Sequence, residues 1–260
     1  MNKEAEKFIG STVMEGMISI RAVIDGGEAG INTRRITRVL YDRSKSESKM
    51  KELSYLKAKS GALGFAVEGV DASVIDGMTI GNTHGGFVAE CTEREFTDID
   101  GMNIKTDGFY VMLEGIEDPY NFGYCLRSLY AAGADGVILS PRNWMSAAGV
   151  VARASAGASE LFEIGIASGE RAVEKFRSLG YTVAATDKCK NSVSVYDADL
   201  RFPLLLLIGG EKRGLGHEAL SGADMILMLD YGRRFPAALS AASAASIIAF
   251  EAFRQNRGRK

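Results

Sequence analysis

Apolar side chains recur along this chain in two rhythms. Val13, Met17, Ile18 and the run from Ile20 to Val23 are spaced for an early helix, and the β-branched run Ile36 to Tyr41 predicts a strand. Ser48 to Lys59 sets Met50, Leu53, Tyr55 and Leu56 among lysines, which predicts a helix. Leu63 to Val67 and Phe87 to Cys91 predict strands, with a glycine-rich loop from Gly81 to Gly86 between them. These segments together predict a small α/β unit.

Thr92 to Gly108 is polar, charged and without period, and it predicts a boundary between domains at 1–100 and 101–260. Beyond it strands and helices alternate. Strands are expected at Phe109 to Leu113, Gly136 to Leu139, Thr182 to Thr186, Pro203 to Ile208 and Met225 to Leu229. Helices are expected at Asn121 to Ala132, Ala147 to Ala154, Gly169 to Leu179 and Ala237 to Phe253. Such alternation predicts an α/β fold with a mostly parallel sheet covered on both faces.

Composition narrows the class. At 46% hydrophobic and 25% charged, the 260 residues exclude disordered, collagenous and disulfide-scaffold readings. There is no apolar run of membrane-spanning length, and polar Met1 to Lys7 predicts no signal peptide. Cys91, Cys125 and Cys189 are widely spaced without a CxxC, so a reducing cytoplasm is expected. His84 and His217 have no second ligand at helical spacing, so no metal is expected, and no GxSxG supports a hydrolytic triad. The net charge of −2 argues against nucleic acid on average. It conceals a local excess: from Ile31 to Ser60 nine basic residues, among them Arg34, Arg35 and Arg38, face three acidic ones, and the C-terminus adds Arg254, Arg257, Arg259 and Lys260. Such a stretch suits phosphate contacts, or it is a solvated face.

Open parallel sheets bind ligands at the C-terminal ends of their strands. Three segments stand there. In the first, the strand ending at Leu113 leads through Asp118-Pro119 to Asn121, a good helix N-cap, with Gly123 and Arg127 following. An arginine fork suits phosphate, although a lone surface arginine is commonly just solvated. In the second, Leu204 to Ile208 runs into Gly209-Gly210-Glu211-Lys212-Arg213-Gly214-Leu215-Gly216, which is neither GxxxxGK[ST] nor GxGxxG, so both nucleotide-loop readings are rejected. In the third, Asp230 to Pro236 precedes Ala237-Ala238-Leu239-Ser240 and a helix start rich in small residues, suited to close packing.

In this order and spacing the three segments resemble the SpoU/TrmH-type RNA 2′-O-ribose methyltransferases of the SPOUT class. Asn121, Gly123 and Arg127 match an Asn-x-Gly-x-x-x-Arg motif; Gly209, Glu211, Gly214 and Leu215 match Gly-x-Glu-x-x-Gly-Leu. The third segment occupies the place of Ser-Leu-Asn-Val-Ser-x-Ala, and Arg153 to Ala158 resembles an intermediate Ala-Ser-Gly-Ala segment. Thr83 to Ala89 resembles the end of a ribosomal-protein-L30e-like RNA-binding domain. The motif asparagines fall on Gly210 and Ser240 here, the motif serines on Ala238 and Ala242, and Gly232 to Leu239 looks about two residues longer than usual.

The resemblance implies a trefoil-knotted SPOUT domain after an L30e-like domain, dimerised through the methyltransferase part, cytoplasmic, with no membrane. It implies S-adenosylmethionine as cofactor near Leu139, Gly209, Met228 and Leu239, and catalytic roles for Arg127, Asn121, Glu211 and Ser240. RNA, ribosomal or transfer, would be the partner, with Arg34, Arg35, Arg38 and His84 facing it. A non-catalytic RNA-binding protein on the same fold remains the alternative.

Overall fold

The early apolar run divides in two in the computed structural model, which describes residues 12–79, 83–140 and 147–258. A short strand β1 (Val13–Glu15) precedes helix α1 (Gly16–Glu28), whose Ile20, Val23 and Ile24 are buried. Strand β2 (Ile36–Asp42) and helix α2 (Met50–Leu63) follow as the pattern predicts. The next strand begins three residues later than expected, as β3 (Ala66–Val70), because α2 runs on through Leu63 and stops at Gly64 in the left-handed conformation (φ +76°). Glycine at that position ends a helix without the Cβ penalty. Helix α3 (Ala72–Met78), which the pattern did not announce, and strand β4 (Phe87–Cys91) complete the sheet. Its order is β1-β4-β2-β3; β4 is antiparallel to both neighbours and β2–β3 is parallel.

The chain then forms β5 (Thr97–Asp98), β6 (Phe109–Glu114), helix α4 (Pro119–Ala131) and β7 (Gly136–Leu139). Helices α5 (Ala148–Ala154) and α6 (Ala158–Leu161) come next, then β8 (Glu163–Ile166), α7 (Gly169–Ser178) and β9 (Thr182–Thr186). The last elements are β10 (Val193–Ser194), β11 (Leu204–Gly209), α8 (His217–Ser221), β12 (Met225–Met228) and α9 (Ala241–Asn256). Eight of these strands form one sheet in the order β10-β12-β9-β11-β6-β7-β8-β5, and every pair in it is parallel. Leu204 to Ile208 at its centre are at most 1% exposed. Burying each such side chain stabilises by roughly 1.5–3 kcal/mol.

The chain divides into two compact units. The first joins the described residues up to Glu95 with the later helices α5 and α6, ending at Leu161; the second holds Phe96 to Asn143 and Phe162 onward. A single cut near residue 100 therefore does not separate them. The reason is local: within the first unit α5 packs on β1 and α6 on α1. Ala152 joins the core of Ile20, Val39, Leu56 and Phe87.

Two helix starts moved for capping reasons. Helix α4 is capped by Asp118, whose Oδ1 accepts from the Asn121 N–H at 2.7 Å, with Pro119 in the first turn, so Asn121 lies inside the helix. Helix α9 starts at Ala241, four residues after the expected Ala237, because Ser240 accepts from the Ser243 N–H at 3.2 Å and caps it. Residues 231–238 before that cap are all exposed. Cys91 and Cys125 are buried and burial pushes both thiols up to about 12, whereas Cys189 is exposed. Met1 to Lys7, Gly81 and Asn82 of the expected loop, and Arg259 and Lys260 lie outside the described residues.

Candidate functional site

Parallel pairing places the C-terminal ends of β6, β7, β11 and β12 at one edge of the second unit's sheet. Strand β6 is followed by Gly115 (φ +74°), and β11 continues into a turn closed by the Gly214 N–H donating to the Gly210 carbonyl at 2.9 Å. These two strand ends approach so closely that a Cβ on Gly210 would lie 2.0 Å from the Gly115 carbonyl oxygen. That contact is a physical reason for glycine at 210, and no asparagine side chain fits there without backbone movement.

Glu211 follows directly. Its Oε1 accepts from the Asn121 amide Nδ2 at 3.3 Å and from the Ala241 backbone N–H at 3.2 Å. The first donor lies on α4 and the second is one of the otherwise orphaned N–H groups that open α9, where a carboxylate is also favoured by the helix dipole. One oxygen thus gathers the three segments that the sequence separates. Gly115, Ile116, Asp118, Asn121, Glu211 and Ala241 line a shallow cavity of about 90 Å³ at this junction.

Arg127 sits on α4, exposed, with no ion-pair or hydrogen-bond partner among the described residues. It lies six residues past Asn121, which is about 9 Å along the axis and on a different helix face. Ser240 faces α9 as its cap and also meets the Ser243 hydroxyl at 3.0 Å. Leu139 and Met228 end their strands, and their carbonyls accept from the Ala167 and Val195 N–H groups at 3.0 and 2.9 Å. Each carbonyl keeps a second lone pair for a ligand. Gly209 stands where a Cβ would lie 2.5 Å from the Gly214 carbonyl carbon, and the Leu239 N–H donates to the Tyr231 hydroxyl at 3.1 Å. The sequence reading gave no signal for the Glu114 carboxylate, whose Oε2 accepts from the Gly216 N–H at 3.3 Å at the same edge.

The four residues expected to face RNA are not alike. Arg34 is 6% exposed and pairs through Nε with Glu160 Oε2 at 3.1 Å, while Nη1 donates to the Thr92 carbonyl at 2.9 Å. It is a buried structural group, contrary to the expectation. His84 is also 6% exposed: its Nδ1 accepts from the Gly86 N–H at 3.1 Å and Nε2 meets Asp76 at 3.1 Å, so both ring nitrogens are engaged within the first unit. Arg38 is exposed but held by Glu90 through two bonds of 2.7 Å. Only the Arg35 side chain is exposed without a partner among the described residues, beside a cavity of about 450 Å³ lined by Ile24, Leu63 and Phe65. Much of the local excess of positive charge is answered, partly by carboxylates of the stretch itself and partly from elsewhere in the chain. Arg43 lies near Asp71, Lys45 near Asp42, Lys49 near Glu52 and Lys59 near Glu28.

Comparison with known proteins frames this geometry. The description of the SpoU rRNA Methylase family matches residues 108–250, which contain all three convergent segments. The 23S rRNA (guanosine-2′-O-)-methyltransferase RlmB of Shewanella oneidensis is 29% identical over 212 residues, covering 79% of this chain and 85% of that one. The RlmB of Pseudomonas putida is 26% identical over 235 residues, covering 86% and 90%. Among solved structures, an AdoMet-bound rRNA methyltransferase from Sinorhizobium meliloti superposes with a TM-score of 0.76 at 27% identity, covering 97% of this chain and 90% of that one. An RNA 2′-O ribose methyltransferase structure reaches a TM-score of 0.77 at 20% identity, a likeness of fold. More than half of the chain fits the family description, and the segments it spans meet on Glu211: this chain belongs to the SpoU rRNA methylase family.

Proposed function

We propose that the protein transfers a methyl group from S-adenosylmethionine to a ribose 2′-hydroxyl of RNA, at the strand-end edge of its second unit. The observation that carries this reading is the shared Glu211 oxygen, which ties the helix bearing Arg127 to the glycine turn and to the start of α9. The edge suits the cofactor's chemistry. It offers main-chain groups and the apolar Leu139 and Leu239 for a base and ribose, and carboxylates at Glu114 and Glu211 rather than a buried cation near a sulfonium. Leu139, Gly209, Met228 and Leu239 would hold the cofactor, which when bound supplies an electrophilic methyl group.

The protein's share of the work is alignment. A guanidinium offers donors and no acceptor, so Arg127 is poorly suited to act as a base. It would grip the phosphate beside the target ribose, and the 2′-hydroxyl proton would leave to that phosphate or to water. Asn121 and Glu211 are positioning residues that fix the helix and turn around that point. Orientation of this kind contributes up to about 7–11 kcal/mol in ideal cases. Ser240 serves first as the cap of α9, and any contact with substrate is a second role.

The reading extends to a trefoil knot in the second unit, an L30e-like RNA-binding role for the first, a homodimer and a cytoplasmic site of action. No helix among the described residues is long and apolar enough to cross a membrane. For the dimer, α9 exposes Ile247, Phe250 and Phe253, spaced three apart on one face, and α4 exposes Tyr124 and Tyr130. An arginine such as Arg127, unpartnered among the described residues, suits a site completed by a second copy. The test is direct: incubate the protein with methyl-labelled S-adenosylmethionine and total RNA, then map ribose methylation. Methylation at one 2′-hydroxyl is expected; cofactor binding without transfer would favour the non-catalytic RNA-binding alternative.

A further inference from the structure

Between β12 and the cap of α9 lies a segment that neither the sheet nor the Glu211 junction uses. Residues 231–238 are all exposed, with Tyr231 at 37% and Phe235 at 53%. The segment is nonetheless shaped. The Tyr231 hydroxyl accepts from the Leu239 N–H at 3.1 Å and closes it, Pro236 fixes one backbone angle, and the rings of Tyr231 and Phe235 lie 6.2 Å apart. Arg233 and Arg234 stand between the two rings in sequence and have no partner among the described residues. The segment begins just after a strand end at the proposed cofactor edge and ends at Ser240, next to the N–H held by Glu211.

Resting on the methyltransferase reading, we propose that Tyr231 to Phe235 is an RNA-gripping loop that selects targets in unpaired strands. Arg233 and Arg234 bind phosphates flanking the target, and Phe235 with Tyr231 stacks an adjacent unpaired base. Exposed large aromatics beside free arginines are the combination that single-stranded nucleic acid requires: charge for the backbone and a flat apolar face for the base. A wall of the cofactor site would not carry two cations beside a sulfonium. A twofold contact with a second copy would bring like charges together.

The test uses the full chain and two probes, a hairpin RNA with an unpaired loop and a fully paired duplex of equal length. The wild type should bind the hairpin more tightly. Phe235→Ala should weaken hairpin binding about 5–150-fold and leave its salt dependence unchanged, and Phe235→Tyr should restore it. Replacing both arginines, Arg233→Gln and Arg234→Gln, should lower the slope of log affinity against log salt by about 1.4. S-adenosylmethionine affinity and the oligomeric state should be the same in all variants. Wild-type-like RNA binding by the variants, no preference for the hairpin, or a parallel change in cofactor affinity or oligomeric state would each overturn the proposal. Loss of methyl transfer by the wild type with hairpin selectivity intact would sink the enzymatic reading alone.

Discussion

In the first unit Arg34 is buried against Glu160, and Arg38, Arg43, Lys45, Lys49 and Lys59 each have a carboxylate within 4.0 Å. In the second, Lys105, Arg171, Lys175, Arg177, Arg201, Lys212 and Arg254 are paired, but Arg127, Arg213, Arg233 and Arg234 carry no partner among the described residues. The densest run of basic residues in the sequence is therefore the more nearly neutralised one. These four arginines, none of which stands out by count, are free, as Arg35 is within the run. A charge tally along the chain locates where cations are made, not where they are available, because availability depends on carboxylates folded in from far away.

This contrast can be broken or sharpened by substitution. The largest effect is expected on stability. Arg34→Ala leaves Glu160, 2% exposed, without its partner and should cost about 3–5 kcal/mol in a urea unfolding titration, with RNA affinity of the folded fraction unchanged. A loss of RNA affinity without loss of stability would erase the distinction between the units. Arg127→Ala should do the reverse. Methyl transfer should fall about a hundredfold or more while S-adenosylmethionine binding by calorimetry and the melting temperature stay put; equal loss of transfer and cofactor binding would remove its assigned role.

Glu211→Ala should lower transfer on the order of tenfold by freeing Asn121 and the start of α9, and Glu211→Gln, which keeps an acceptor oxygen, should lose less. Ser240→Ala should cost about 1 kcal/mol of stability as a lost helix cap. A drop in turnover beyond that of a second cap-destabilising variant would give Ser240 a chemical role as well. Arg38→Ala should be the mildest, a small loss of stability typical of an exposed ion pair, since the pair with Glu90 is partly exposed. The bond from Arg38 holds the Glu90 carboxyl below the usual carboxylate range. Its contribution is therefore complete above that range and fades as pH falls through the depressed value. Acid titration of the wild type against Arg38→Ala should show the two stability curves converging at low pH.

The strands of the second unit's core were legible almost to the residue, because Leu204 to Ile208 and Phe109 to Leu113 are apolar runs with glycine or charge at their ends. Strand β8 was not, since Glu163-Ile164-Gly165-Ile166 is too short and mixed to stand out. Helix ends were misplaced where a cap competed with the pattern: Asp118 rather than Asn121, Ser240 rather than Ala237, Gly64 rather than the strand expected over Leu63. At the site, the residue types of Asn121, Glu211 and Gly210 were legible, but their meeting on one oxygen was not. Asn121 and Glu211 lie 90 positions apart, and no local rule reaches that far. A separation of 126 positions likewise hid the fate of Arg34; His84 is held by its near neighbours Asp76 and Gly86, and its chemistry reads as functional until those contacts are seen.

Helices α5 and α6 belong to the first compact unit although strands β6 and β7 of the second precede them. This interleaving sets an order of events on the ribosome. Arg34 is made 126 positions before Glu160, and at about 5–20 residues per second that interval is roughly 6–25 s. The first unit cannot close over its arginine while only its own leading residues have emerged. Three of the eight strands of the second unit's sheet must be translated before the N-terminal unit has all its parts, so the first unit cannot finish folding before the second has begun to emerge.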